Sequence, residues 1–100
     1  MDVTQPDAIR QLRQIGASVQ PLHSVGSGCP DLLIGFRGVN VLVEMKDGGK
    51  CEAHSALNAA QEKWHAAWAG QVVTAWSAEE AVHEVIEAAK RAAISGLRRA

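Results

Sequence analysis

Two carboxylates and an amine, Asp31, Glu44 and Lys46, sit in the one stretch of this 100-residue chain whose pattern brings such groups together. The stretch, residues 28–47, reads GCPDLLIGFRGVNVLVEMKD, and its two runs rich in Leu, Ile and Val, 32–36 and 39–45, are split by Arg37-Gly38. That pattern predicts a β-hairpin. With a two-residue loop, the antiparallel register pairs Phe36 with Val39, Gly35 with Asn40, and so on down to Asp31 with Glu44. Directly opposed side chains have Cβ atoms about 4.5–5.5 Å apart, and like charges there are destabilising unless something neutralises them. Lys46, two residues beyond Glu44, shares its face. A divalent cation is the natural neutraliser, because hard cations such as Mg²⁺ take oxygen ligands, typically one or two carboxylates with phosphate and water. A cation in that position lowers the pKa of a bound water and stabilises charge on a transferring phosphoryl group. Lys46 can orient or deprotonate the water, or stabilise the phosphate charge. The plainer alternative is a solvated face of an amphipathic hairpin, with Asp31 a turn residue after Pro30.

Pro30-Asp31, twelve intervening residues, then Glu44-Met45-Lys46 resembles the signature of the PD-(D/E)XK nuclease superfamily, and within it the small VRR-NUC domains found alone in phages. The resemblance spans roughly residues 5–85, and GCPDLLIG, VEMKDG and QEKWHAAW are its specific parts. It implies phosphodiester hydrolysis dependent on Mg²⁺ or Mn²⁺, with Asp31 and Glu44 as metal ligands, the Met45 carbonyl as a third and Lys46 as the catalytic lysine. It also implies a site role for Gln61, holding Lys46 or a metal-bound water. Two departures stand out. Relatives often have Lys where this chain has Ser27, and the superfamily usually carries a Glu on its first helix, where Asp7, Asp2 and Gln5 are the candidates here. Stand-alone VRR-NUC domains resemble Holliday-junction resolvases, so the expected activity is a DNA endonuclease acting on branched DNA as a homodimer. A flap or linear-end nuclease and a catalytically silent DNA-binding or assembly module are the alternatives.

The composition bounds these readings. One hundred residues with 47% hydrophobic and 21% charged content make one globular domain, with a core at about 5–90 and a basic tail at 90–100. A formal net charge of −1 argues against binding to nucleic acid by bulk electrostatics alone, so any DNA contact needs a local basic surface. Two cysteines with 21 residues between them make no disulfide framework, and no signal peptide or long apolar run is evident. The expected setting is the cytoplasm, phage-encoded or bacterial, with reduced thiols, no membrane and no small-molecule cofactor.

The remaining elements must position the acid pair. Residues 1–16 predict a first helix, with Pro6 at N1, Ile9, Leu12 and Ile15 on one face and Gly16 as its stop. Asp7 in the first turn also complements the helix dipole. Residues 17–22 read as a strand. The loop that follows holds Gly26-Ser27-Gly28, where glycines let backbone approach another backbone or a phosphate, so Ser27 and Gly28 are candidate nucleic-acid contacts. Cys29 is a small packing residue. Residues 47–55 form a Gly-rich polar loop whose Lys50 can reach a phosphate. Its Cys51 and His54 lack the second pair that structural zinc requires.

A second helix starts at Asn58, which makes a capping box with Gln61. Gln61 also lies on the inward stripe Leu57, Gln61, Trp64, Trp68, so it has both a cap and a site reading. On that stripe Trp64 and Trp68 read as core, and His65 as its partly buried edge. Residues 71–75 give a last strand. Ser77 to Glu80 open a third helix with Val82, Val85, Ile86 and Ala89 inward; beyond Ala89 comes a frayed basic tail, or else a DNA arm or dimer contact through Ile94 and Leu97. The order α-β-β-β-α-β-α predicts a three-layer-like α/β fold of the restriction-endonuclease type, a small mixed sheet with the site on its central hairpin.

Overall fold

A computed structural model describes residues 4–46 and 57–99. The elements run in the predicted order: α1 (Thr4–Gln14), β1 (Ser18–Pro21), β2 (Leu32–Phe36), β3 (Val39–Met45), α2 (Ala59–Ala67), β4 (Val72–Ala75) and α3 (Ala78–Arg99). The four strands form one mixed sheet in sequence order. β1–β2 and β2–β3 pair antiparallel, and β3–β4 pair parallel. A parallel pair needs a crossover connection, and here the crossover carries α2.

The hairpin register is the one expected, from Phe36 opposite Val39 to Leu32 opposite Val43. Arg37 (φ 52°) and Gly38 (φ 78°) both take positive φ. That is the type I′ requirement, whose twist matches the strands it joins. At the other end of the first connection, α1 stops in a Schellman motif. The amide of Ala17 donates to the Leu12 carbonyl and that of Gly16 (φ 90°) to the Arg13 carbonyl, so two orphan carbonyls are satisfied.

One face of the sheet meets α1 and α3. Leu32, Ile34, Phe36, Val41, Val43 and Met45 pack there with Ala8, Leu12, Ala81, Val85, Ala88 and Ala89. The alanines let both helices lie close to the sheet. In cores of this kind, truncating one buried Leu or Ile to Ala costs about 2–5 kcal/mol, so the layer that holds the hairpin rigid has little to spare.

Several boundaries differ from expectation. α1 begins at Thr4, so Pro6 lies in its first turn rather than at N1, where its missing N–H is still harmless. Ala8 and Leu12 carry its burial, while Ile15 lies past the helix end and is exposed. In α3, Ala81 and Ala88 join Val85 and Ala89 inside, whereas Val82 and Ile86 pack only partly against the core. There is no fray at Ala89. The helix continues to Arg99, and Ile94 on this extension is 50% exposed. Among the described residues no helix is long and apolar enough to cross a membrane.

Candidate functional site

Asp31 immediately precedes β2, and it is held from both sides. Its carbonyl accepts from the Leu22 amide at 2.8 Å, and its carboxylate Oδ2 accepts from the Met45 amide of β3 at 2.8 Å. Continuing the β2–β3 register by one pair puts it opposite Glu44. Glu44 is only 3% exposed and is the one buried charged residue among those described. Its Oε2 accepts from the Gln61 amide nitrogen at 3.1 Å and lies 3.7 Å from Lys46 Nζ. Its Oε1 is buried with no hydrogen-bond partner.

Burial first, then the Asp31 charge and carboxyl, push the Glu44 carboxyl up to about 8, against a smaller opposing pull from Lys46. Two facing carboxylates are both acceptors, so Oε1 has no donor unless a proton or a cation comes between them. The neighbouring Cys29 thiol is pushed up by burial and then by the Glu44 and Asp31 charges.

Lys46 extends from the end of β3, where its amide donates to the Ala75 carbonyl and prolongs the parallel pairing to β4. Its Nζ donates to Gln61 Oε1 at 2.7 Å. Gln61 makes the cap and also contacts Lys46. Its amide oxygen also accepts from the Asn58 amide at 3.0 Å, and its own backbone amide donates to Asn58 Oδ1 at 2.9 Å, which completes the capping box. One side chain therefore caps α2 and ties Lys46 to Glu44. The N-terminus of α2 is itself set against the loop before β2. At Gly28 (φ 86°) a Cβ would stand 2.5 Å from the Ala60 carbonyl oxygen, so a close backbone approach requires glycine there.

Among the described residues no three His, Cys, Asp or Glu side chains gather in one cluster. The oxygen-bearing side chains that face each other here are the two carboxylates of Asp31 and Glu44. No family model and no curated protein sequence matches the chain. Among solved structures it is similar to a VRR-NUC domain, with a TM-score of 0.62 and 28% identity over 84% of this chain and 90% of that one. The chain shares the fold of that VRR-NUC domain.

Of the first-helix candidates, Asp7 and Gln5 lie among the described residues. Asp7 is engaged by Arg10 and by the Gln11 amide at 3.3 Å, and Gln11 also reaches Glu79 of α3 at 2.7 Å. These contacts tie α1 to α3 on the far side of the sheet. Asp2, Lys50, Cys51 and His54 lie outside the described residues. Ser27 (φ 56°) is exposed in the loop ahead of the site.

The expectation that Trp64 and Trp68 are core is corrected. No residue of α2 is fully buried, Trp64 is half-buried, and Trp68 is 45% exposed. The helix lies over the sheet face that carries the acid pair, and no further layer covers it among the described residues. His65 is a feature that periodicity understated. Its Nε2 is buried without a partner, and burial followed by the Lys46 charge pulls its imidazole down. Its spacing of four from Gln61 was the available signal, since that places both on one helix face.

Proposed function

We propose that this domain hydrolyses phosphodiester bonds in DNA as a metal-dependent endonuclease, with branched DNA such as a Holliday junction as its substrate. The observation that carries the reading is the buried Glu44, whose Oε1 has no donor and whose carboxyl lies beside that of Asp31. Burying two carboxylates side by side is costly unless a positive charge is bound between them. Asp31, Glu44 and the Met45 carbonyl would hold Mg²⁺ or Mn²⁺, which supplies Lewis-acid stabilisation of phosphate charge and a more acidic bound water.

The chain's own groups do the rest. Lys46 holds an ammonium beside the acid pair, 13% exposed and oriented by Gln61, where it can direct the attacking water or stabilise the phosphate oxygens. The water oxygen bonds to phosphorus, the bond to one bridging oxygen breaks, and the departing alkoxide takes a proton. Gln61 is a positioning residue for both Lys46 and Glu44.

Branched DNA and a homodimer go together. Paired cuts on a two-fold junction need two sites at fixed separation, and an isologous contact puts the same patch on both subunits. The α3 extension beyond Ala89, with exposed Ile94, supports such a contact. The test is cleavage of a labelled four-way junction beside flap, duplex and single strand, with Mg²⁺ or Mn²⁺. Preferential junction cleavage is expected, and equal cleavage of all four substrates would remove the branched-substrate reading. Light scattering at micromolar concentration is expected to give a two-subunit mass, which truncation after Ala89 lowers. A monomeric full-length chain, with and without DNA, would favour single cuts at flaps or ends.

A further inference from the structure

The sheet face that carries the acid pair continues past it, uncovered among the described residues. Leu33 pairs with Leu42 and Gly35 with Asn40, so Leu33, Asn40 and Leu42 share the face of Asp31 and Glu44. With Trp68, Gly70 and Gln71 they line a groove of about 380 Å³. A second, more polar groove of about 220 Å³, which adds Ser18 and Gln20, shares Leu33 and Asn40 with the first. Together they run along this face from Leu33 and Leu42, each two residues from the acid pair, to the β1 edge. Trp68 stacks on Trp64 with ring centroids 4.7 Å apart and planes 16° from parallel, yet remains 45% exposed where it borders the groove. At Gly70 a Cβ would come within 2.9 Å of the indole nitrogen, so that wall leaves no room for a side chain.

We propose that this groove is a nucleobase subsite, taking one unpaired base of the strand that is cut, next to the scissile phosphate. This rests on the nuclease reading above. Leu42 precedes Glu44 by two residues, about 7 Å along the strand, so a base seated there belongs to a nucleotide adjoining the phosphate at the acid pair. The lining suits a base: an apolar floor of Leu33 and Leu42, an indole wall, and the amides of Asn40 and Gln71 at the rim to meet a polar edge. Among the described residues its lining has no Lys or Arg to meet a phosphate. A base inside continuous duplex is stacked and cannot enter, whereas an unpaired or extruded base can. Stacking tolerates any base, because every base has a π-face. The subsite therefore favours junctions, gaps and flaps over uninterrupted duplex without reading sequence.

The test is binding by the full chain in EDTA, so that cleavage does not intervene. The probes are a gapped duplex with 2-aminopurine at successive unpaired positions and an uninterrupted duplex of the same sequence. Trp68→Ala is expected to weaken binding to the gapped probe roughly tenfold to a hundredfold and to abolish 2-aminopurine quenching at one position. Trp68→Phe should retain most of both, and duplex binding should not change. Asn40→Trp, which fills the groove from an exposed position, should reproduce the Trp68→Ala loss and so guards against misfolding of that variant. Unchanged quenching and affinity in Trp68→Ala and Asn40→Trp would overturn the subsite. So would equal losses on both probes, or a change of mass in light scattering, which would make the groove a contact with a second copy. Wild-type cleavage with Mg²⁺ separates the two claims. Trp68-dependent quenching without any cleavage would remove the nuclease reading alone, and cleavage without Trp68 dependence would remove the subsite alone.

Discussion

Glu44→Gln and Asp31→Asn are each expected to abolish cleavage and divalent-metal binding in a protein that still folds, whereas Lys46→Ala loses rate and keeps its metal. Each carboxamide removes one formal charge from the pair proposed to hold a cation. The loss should exceed the ~10–100-fold typical of residues that only support metal ligands. Folding survives because the substitutions are nearly isosteric. In Glu44→Gln an amide donor also stands where Oε1 had none. Lys46 is a donor to Gln61 and cannot be a ligand as an ammonium, so its removal should cost about 10²–10⁴ in rate, the range for a proton-transfer or positioning group. Calorimetric titration with Mn²⁺ alongside single-turnover cleavage separates the two effects. Wild-type rates in either carboxylate variant would sink the site assignment. A loss of metal affinity in Lys46→Ala as complete as in Glu44→Gln would sink the division of labour.

In the absence of metal, the wild-type protein is expected to lose stability as pH rises from about 5 to 9, which is the reverse of ordinary acid denaturation. Glu44 titrates near 8 in the folded chain and near 4.5 as a free side chain. A raised folded value means that the native state binds the proton more tightly. The stabilisation is therefore complete below about 4.5 and is lost as pH climbs through about 8. One proton sets a slope of at most about 1.4 kcal/mol per pH unit, and for a domain of this size 1 kcal/mol moves the melting temperature by roughly 4–8 °C. A fall on the order of 20 °C between pH 5 and pH 8.5 is the upper bound that these figures set, to be read by calorimetry. Glu44→Gln should flatten it, and Mg²⁺ should reverse it at the alkaline end by binding only the folded state. Metal affinity should in turn rise with pH over the same window, because the proton has to leave. Identical pH profiles for wild type and Glu44→Gln, or indifference to Mg²⁺ at pH 8.5, would show that the pair does not carry this charge.

The hairpin could be read from residue order because its information is local. A strand has a period of two, Arg37-Gly38 suits a turn with both φ values positive, and one register then puts Asp31 opposite Glu44. The Gly16 stop, the Asn58–Gln61 capping box and the element order were legible for the same reason, since each depends on neighbours a few residues away.

What the chain order left open depends on which layer covers which face. Helical spacing marked Gln61, Trp64 and Trp68 as one stripe, but not that the stripe would lie over an otherwise open sheet face, which leaves Trp68 bordering a groove instead of filling a core. Likewise, Gln61 could be assigned to cap or site only once α2 was docked beside β3, where one amide reaches Asn58, Lys46 and Glu44 together. The depth at which Glu44 is buried, and hence its displaced titration, comes from groups that are distant in sequence and packed around it. Periodicity tells which side chains share a face; desolvation and electrostatics are set by what that face meets.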